Sequence, residues 1–270
     1  MSEEQCVSRQ RFQKEVLSEI CHLLQPDLQP GISTRTAMPI AVKATVVLTF
    51  FASGSFQAAS GDICTISQFT AHRCIRDMTQ ALYRWRMEFI VFPMNRDKQD
   101  EWICGFARIA GIPIVQGSID CTHVALRAPF QNAEVFRNKK GYHSLNMQLL
   151  CDHTQRILAV YSRYPGSAHD AFIQHVSNVP QMFVPSREGC GWLLGDKGYI
   201  LATWQINTLR NTTTEQCYND SNVATCNIIE QTIGVLKQCL RCLDISGCSL
   251  QHCLQLRYSL WCAACCTTWP

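Results

Sequence analysis

Residues Gly117–Leu126 read GSIDCTHVAL, and the alternation along them is broken. Ile119, Cys121, Val124 and Leu126 are what a strand would bury, but Asp120, Thr122 and His123 are set irregularly among them. A carboxylate between two apolar neighbours is costly to bury unless something pairs with it. Asp120 is therefore the residue whose presence the rest of the chain must explain.

Working outward, IPIVQGSIDCTHVAL from Ile112 is one strand region, and HSLNMQLLCDHTQRILAVYSRYPG reads as two strands around a turn at Asp152 to Gln155. SAHDAFIQHVS has the look of a helix start. GCGWLLGDKGYI is a short apolar strand ending in Gly195-Asp196, with Gly198 opening a turn. After a polar connection, NTTTEQCYNDSN, the segment CNIIEQTIGVLKQCLRCL carries Ile229, Ile233, Leu236 and Leu240 as a helical stripe, with Glu230 beside it. Strands interleaved with helices predict an α/β domain.

Three further acids keep Asp120 company. Taken singly, Asp196 reads as a turn residue, Asp170 as a helix N-terminal acid and Glu230 as solvated helix surface. Taken together, strand-Asp, hairpin, strand-Asp and helix-Glu form a scaffold for metal-dependent phosphoryl transfer. Carboxylates brought close repel one another unless a cation lies between them. Mg²⁺ or Mn²⁺ suits that role, because hard cations prefer oxygen ligands.

Residues 1 to about 100 read as mostly helical. RQRFQKEVLSEICHLLQ places Phe12, Val16, Ile20, Leu23 and Leu24 at helical spacing, and an apolar helix follows around Ile40 to Phe51. After a turn at SGSF, Ser67 is a candidate N-cap for a helix with Ile75, Met78, Leu82 and Trp85 on one face. The opposite face carries Gln68, Thr70, His72, Arg73 and Arg76, which gives the layout of a helix-turn-helix or of an ordinary helical pair with a solvated basic face. A further helix is expected from about Lys98 to Ala110.

Charged residues make up 17% and hydrophobic residues 47% of the chain, a balance that excludes a disordered protein. A net charge of +3 permits nucleic-acid binding without demonstrating it, and basic residues cluster at Arg137, Lys139 and Lys140. MSEEQCVSRQRFQKE lacks a signal-peptide core, and AMPIAVKATVVLTFFASG is interrupted by Lys43 and Pro39, so neither secretion nor a membrane span is expected. Seventeen cysteines in a reducing compartment do not imply disulfides. Cys239-x2-Cys242 and Cys262-x2-Cys265 have zinc-like spacing, but VLKQCLRCL reads as continuing helix rather than a knuckle turn.

The segments GSIDCTHVAL, FRNKKGYHSLNMQLLCD, YPGSAHDAFI, LLGDKGYIL and NIIEQTIGVLKQCLRCLD resemble the PIF/Harbinger transposase family, in family order over about Gly111 to Asp244. GDICTISQFTAHRCIRDMTQAL also resembles that family's helix-turn-helix-like part. The resemblance implies a ribonuclease H-like catalytic domain at 111–270, shortened at its C-terminus, behind a helical region at 1–110. It implies an Asp-Asp-Glu nuclease site of Asp120, Asp196 and Glu230 with divalent Mg or Mn, and Asp170 as a further family acid. It also implies DNA backbone contact around Lys139, Lys140 and Gly141, a Myb-like nuclear partner protein, and a nuclear location, with the cytoplasm as a second one. The chain departs from the family pattern at Cys121 (usually Gly), Lys197 (Ser), Cys226 (Arg) and Cys239 (a basic residue). The alternative expectation is a catalytically inactive DNA-binding or adaptor protein that keeps the fold.

Overall fold

The computed structural model describes residues 3–29, 38–55, 57–92, 95–182, 191–196, 198–199, 202, 205–207 and 213–244. Their contacts divide the chain into two compact units. The first holds the chain up to Phe89, Ala125–Arg127 and the segment from Leu236; the second holds Ile90–Val124 and Ala128–Val235.

The first unit is helical: α1 (Glu3–Gln10), α2 (Lys14–Leu28), α3 (Ile40–Ser53), α4 (Gln57–Asp62) and α5 (Gln68–Phe89). The expected first helix is split in two, because Arg11 takes φ 67°, which no helix interior tolerates. Ile20 and Leu24 of α2 are buried, as are Val46, Val47, Leu48, Phe50 and Phe51 of α3. Gly54, at φ 61°, ends α3 with its N–H on Phe50 O, and a 3-10 turn at Arg241–Leu243 packs on the same helix. Ser67 caps α5 as expected, its Oγ accepting from the Thr70 N–H at 3.3 Å. Ile75, Met78 and Leu82 are buried, while Trp85 donates its indole N–H to Asp27 of α2 at 2.9 Å. The short helix α4 was not legible in the sequence; it packs on α3 and α5, and its Gln57 side chain meets His72.

The second unit contains α6 (Arg96–Ala110), β1 (Val115–Ala125), β2 (Ser144–Cys151), β3 (Ile157–Pro165), α7 (Asp170–Val176), α8 (Val179–Met182), β4 (Trp192–Gly195), β5 (Gln205–Asn207) and all but the end of α9 (Thr213–Cys239). The strands form one mixed sheet in the order β3-β2-β1-β4-β5, with β2 antiparallel to β3, and β4 parallel to both β1 and β5. The expected hairpin is present. Asp152 Oδ1 accepts from the N–H groups of Thr154 and Arg156 and closes its turn.

Trp102 of α6, Ile119, Leu150, Leu158, Ala159, Val179, Leu193 and Tyr199 form one buried cluster. Cys151, the neighbour of Leu150, instead accepts a hydrogen bond from Thr232 of α9 at 3.6 Å. Successive strand residues face opposite sides, so the sheet lies between a layer containing α6 and the helix α9. Gly117 makes that packing possible on the central strand. A Cβ there would come within 2.9 Å of Leu150 Cδ1.

Two expectations change here. The polar stretch before Cys226 is not a connection, since α9 is already helical from Thr213. It contains neither Gly nor Pro, and its Thr, Asn, Asp and Ser residues weaken a helix nucleated by the apolar half without stopping it. Conversely, α9 ends at Cys239 and gives way to a 3-10 turn at Arg241–Leu243, so the first Cys-x2-Cys pair straddles a helix end rather than a continuing helix. The second pair lies outside the described residues. No helix among the described residues is long and apolar enough to cross a membrane.

Candidate functional site

Ile119 and Cys121 both contact the buried cluster on the α6 side of β1, so Asp120 between them points to the α9 side. That is the meaning of the irregular GSIDCTHVAL pattern. Asp120 is half-buried, and its Oδ1 accepts from the Cys121 N–H at 2.7 Å. Burial raises its pKa from 3.8 to about 7; the Cys121 amide opposes the rise, and repulsion from Asp196, Asp170 and Glu230 adds to it.

Those three acids arrive from three other elements. Asp170 is the half-buried first residue of α7, Asp196 follows the last residue of β4, and Glu230 is on α9; the last two are exposed. The Asp196 carboxylate accepts from the Gly198 N–H, which folds the chain back on itself just past the strand. Asp170 Oδ1 accepts from Asn146 Nδ2 of β2 at 2.9 Å. A Cβ at Gly198 would stand 3.0 Å from Asp196 Oδ1 and 3.2 Å from Asp170 Oδ2. A side chain there would crowd both carboxylates, each of which would have to give by a few tenths of an ångström.

All four expected acids thus share one electrostatic neighbourhood, with two half-buried and two facing solvent. Among the described residues, no group of three or more His, Cys, Asp or Glu side chains is already arranged to hold a metal ion. The donor chemistry nevertheless fits a hard divalent cation. The donors are carboxylate oxygens, and the repulsion felt at Asp120 is what a cation among them would relieve. The residues that could hold it are Asp120, Asp170, Asp196 and Glu230.

Cys226 and Cys121 line the same neighbourhood. Cys226 is buried one helical turn before Glu230, and its thiol is pushed up to about 12 by burial and by Asp120, Asp196 and Glu230. It is therefore a neutral group beside acids, at the position where the sequence resemblance leads to an expected arginine. Cys121 is also driven well up, by burial first and then by Asp170. Lys197 lies outside the described residues.

Sequence reasoning passed over Asn146 and Tyr199. Tyr199 donates its hydroxyl to Cys121 Sγ at 3.1 Å. The available signal was Asn146 itself, an amide between Leu145 and Met147 in a strand buried along its whole length.

The basic candidates lie elsewhere on the chain. Lys139 and Lys140 are exposed in the loop between β1 and β2, where Asn138 Oδ1 accepts from the Lys140 N–H at 2.9 Å. Arg73 and Arg76 are exposed on α5 in the other unit, and Arg76 forms an ion pair with Asp77 at 2.9 Å.

The elevated Asp120 pKa has a measurable consequence. A carboxyl with a raised folded-state pKa adds stability that is fully present below about pH 4 and is lost as pH rises through about 7. The rise from 3.8 to about 7 corresponds to roughly 4 kcal/mol. Denaturant titrations of cation-free protein at pH 5 and pH 8 are expected to show Asp120→Asn stabilising the fold at pH 8 and much less at pH 5. An equal effect at both pH values contradicts the electrostatic account.

Comparison with known proteins agrees with this arrangement. The DDE superfamily endonuclease family matches residues 119–267, a span that includes all four acids. The human protein named "Putative nuclease HARBI1" is 33% identical over 254 residues, covering 93% of this chain and 73% of that protein. Its Xenopus laevis counterpart is 30% identical over the same coverage. An Arabidopsis thaliana protein named "Protein ALP1-like" is 21% identical over 216 residues, covering 73% of this chain and 52% of its own length. No solved structure matches. The chain belongs to the DDE superfamily endonucleases, as a Harbinger transposase-derived nuclease.

Proposed function

We infer that this nuclease hydrolyses phosphodiester bonds of DNA with the help of a divalent cation, and that Asp120, Asp196 and Glu230 are its catalytic acids, with Asp170 as a further ligand. The observation that carries the reading is the shared influence of the other three acids on Asp120. A cation bound there supplies positive charge to the phosphate and lowers the cost of forming a hydroxide nucleophile.

The chain's own contribution is position. The Cys121 and Gly198 N–H groups each hold one aspartate from the backbone, so those carboxylates do not have to reorganise when substrate arrives. Asp196 and Glu230 face solvent, which leaves an approach for an extended phosphate backbone, while half-buried Asp120 and Asp170 form the inner wall. Exposed Lys139 and Lys140 would contact phosphates without reading sequence.

The helical unit supports a DNA-contact role of its own. Helix α4, a five-residue turn and the Ser67-capped α5 present Gln68, Arg73 and Arg76 to solvent, as a helix-turn-helix reader would. Arg73 is the stronger candidate, because Arg76 already shares its charge with Asp77. A DNA substrate is in keeping with a nuclear location, with the cytoplasm as a second one; a Myb-like partner rests on the family resemblance alone.

One observation favours a second reading, in which the fold binds DNA but no longer cuts it. Cys226 puts a neutral thiol where the family pattern has an arginine, removing a cation that would bind phosphate and offset the acids. A single assay separates the two. Incubated with plasmid and Mn²⁺, the wild type is expected to nick DNA, and Asp196→Ala to match the no-protein control. Salt-dependent binding without nicking by either protein would establish the second reading. In the same preparation, Arg73→Ala is expected to weaken binding uniformly across DNA sequences and to reduce the salt slope by about one.

A further inference from the structure

Asp170 differs from the other aspartates in how it is held. Asp120 and Asp196 each accept a hydrogen bond from a backbone N–H within two residues, whereas Asp170 is held by a side chain of another element, Asn146 on β2. Asn146 Nδ2 on β2 donates both to Asp170 Oδ1 and to the Ala168 carbonyl, each at 2.9 Å. With two acceptors in front of it, the amide can present only its NH₂ group there, so its orientation is settled by chemistry. The remaining oxygen, Asp170 Oδ2, faces the Gly198 backbone, the same place reached by Asp196 Oδ1.

The local sheet is shaped around this contact. Asn146 pairs with Tyr164 and Gln148 with Tyr161, so β3 carries one extra residue beside Asn146. Such bulges re-aim side chains at the cost of ladder regularity. Asn146 is itself 1% exposed, and its Oδ1 has no hydrogen-bond partner. Gln148, two residues on in β2, is also a buried amide, so what sets Asn146 apart is its contact with Asp170.

We propose that Asn146 is a positioning residue that turns Asp170 Oδ2 toward Asp196, adding Asp170 to the cation-holding acids. The inference rests on the metal-site reading above. Asn146 touches no substrate in this role; it acts through Asp170. Gly198 is the complementary feature, because a Cβ there would press on both carboxylates, at 3.0 Å from Asp196 Oδ1 and 3.2 Å from Asp170 Oδ2.

Calorimetric titration with Mn²⁺ tests this, using the full chain of the wild type, Asn146→Ala, Asp170→Asn and the double variant, with a thermal melt of each. Asn146→Ala is expected to weaken Mn²⁺ binding about 10- to 100-fold, as loss of an outer partner does elsewhere, and Asp170→Asn at least as much, since it removes a ligand's charge. The double variant is expected to bind no more weakly than Asp170→Asn, since Asn146 has then nothing left to position. Additive losses, or a lowered melting temperature with unchanged Mn²⁺ affinity, would overturn the proposal. Should Asn146→Ala fail to fold, Gly198→Ala provides the second arm: weaker Mn²⁺ binding supports the convergence of Asp170 and Asp196, and unchanged binding refutes it. A wild type that binds no Mn²⁺ defeats the metal-site reading and this inference together, whereas binding that neither variant alters defeats this inference alone.

Discussion

Four carboxylates drawn from β1, α7, the end of β4 and α9 are held within reach of one another's charge, and Asp120 bears the strain of that arrangement. Desolvation and like-charge repulsion both oppose its ionisation. Each of the four elements could supply an acid to solvent at no cost; converging them on one place is expensive. Such a cost is retained where charge of the opposite sign is meant to arrive.

The fold meets the cost with local devices. On β1, pleating alone decides that Ile119 and Cys121 join the hydrophobic cluster while Asp120 turns to the α9 side. At the end of β4, the Gly198 N–H holds the Asp196 carboxylate, and the missing side chain at Gly198 leaves room for Asp170. A bulge in β3 beside Asn146 accompanies the contact from the central sheet to α7. Cys121 belongs to the same framework: it accepts a hydrogen bond from Tyr199, which ties β1 to the segment after Asp196.

Much of this was legible in the sequence because it depends on short periods. The strands around Asp152, the capped helix after Ser67 and the stripe of Ile229 and Ile233 each declare themselves within one element. The four acids were legible as a set once the order of strands and helices was read. What could not be read was lateral. Asn146 meets Asp170 only because β2 lies near α7, a relation that no spacing along the chain encodes. The start of α9 at Thr213 was missed for a different reason: a polar run without Gly or Pro carries little signal of its own, and its helicity comes from the apolar half that follows.

The most direct test is the effect of Mn²⁺ on stability, because relief of carboxylate repulsion must appear in the fold itself, independently of any turnover. Melting temperatures of the wild type at pH 8 should rise with Mn²⁺ concentration, following the linkage expected for a ligand that binds only the native state. An Asp120→Asn protein should start higher and rise less. A wild-type melting temperature that does not respond to millimolar Mn²⁺ would contradict the account.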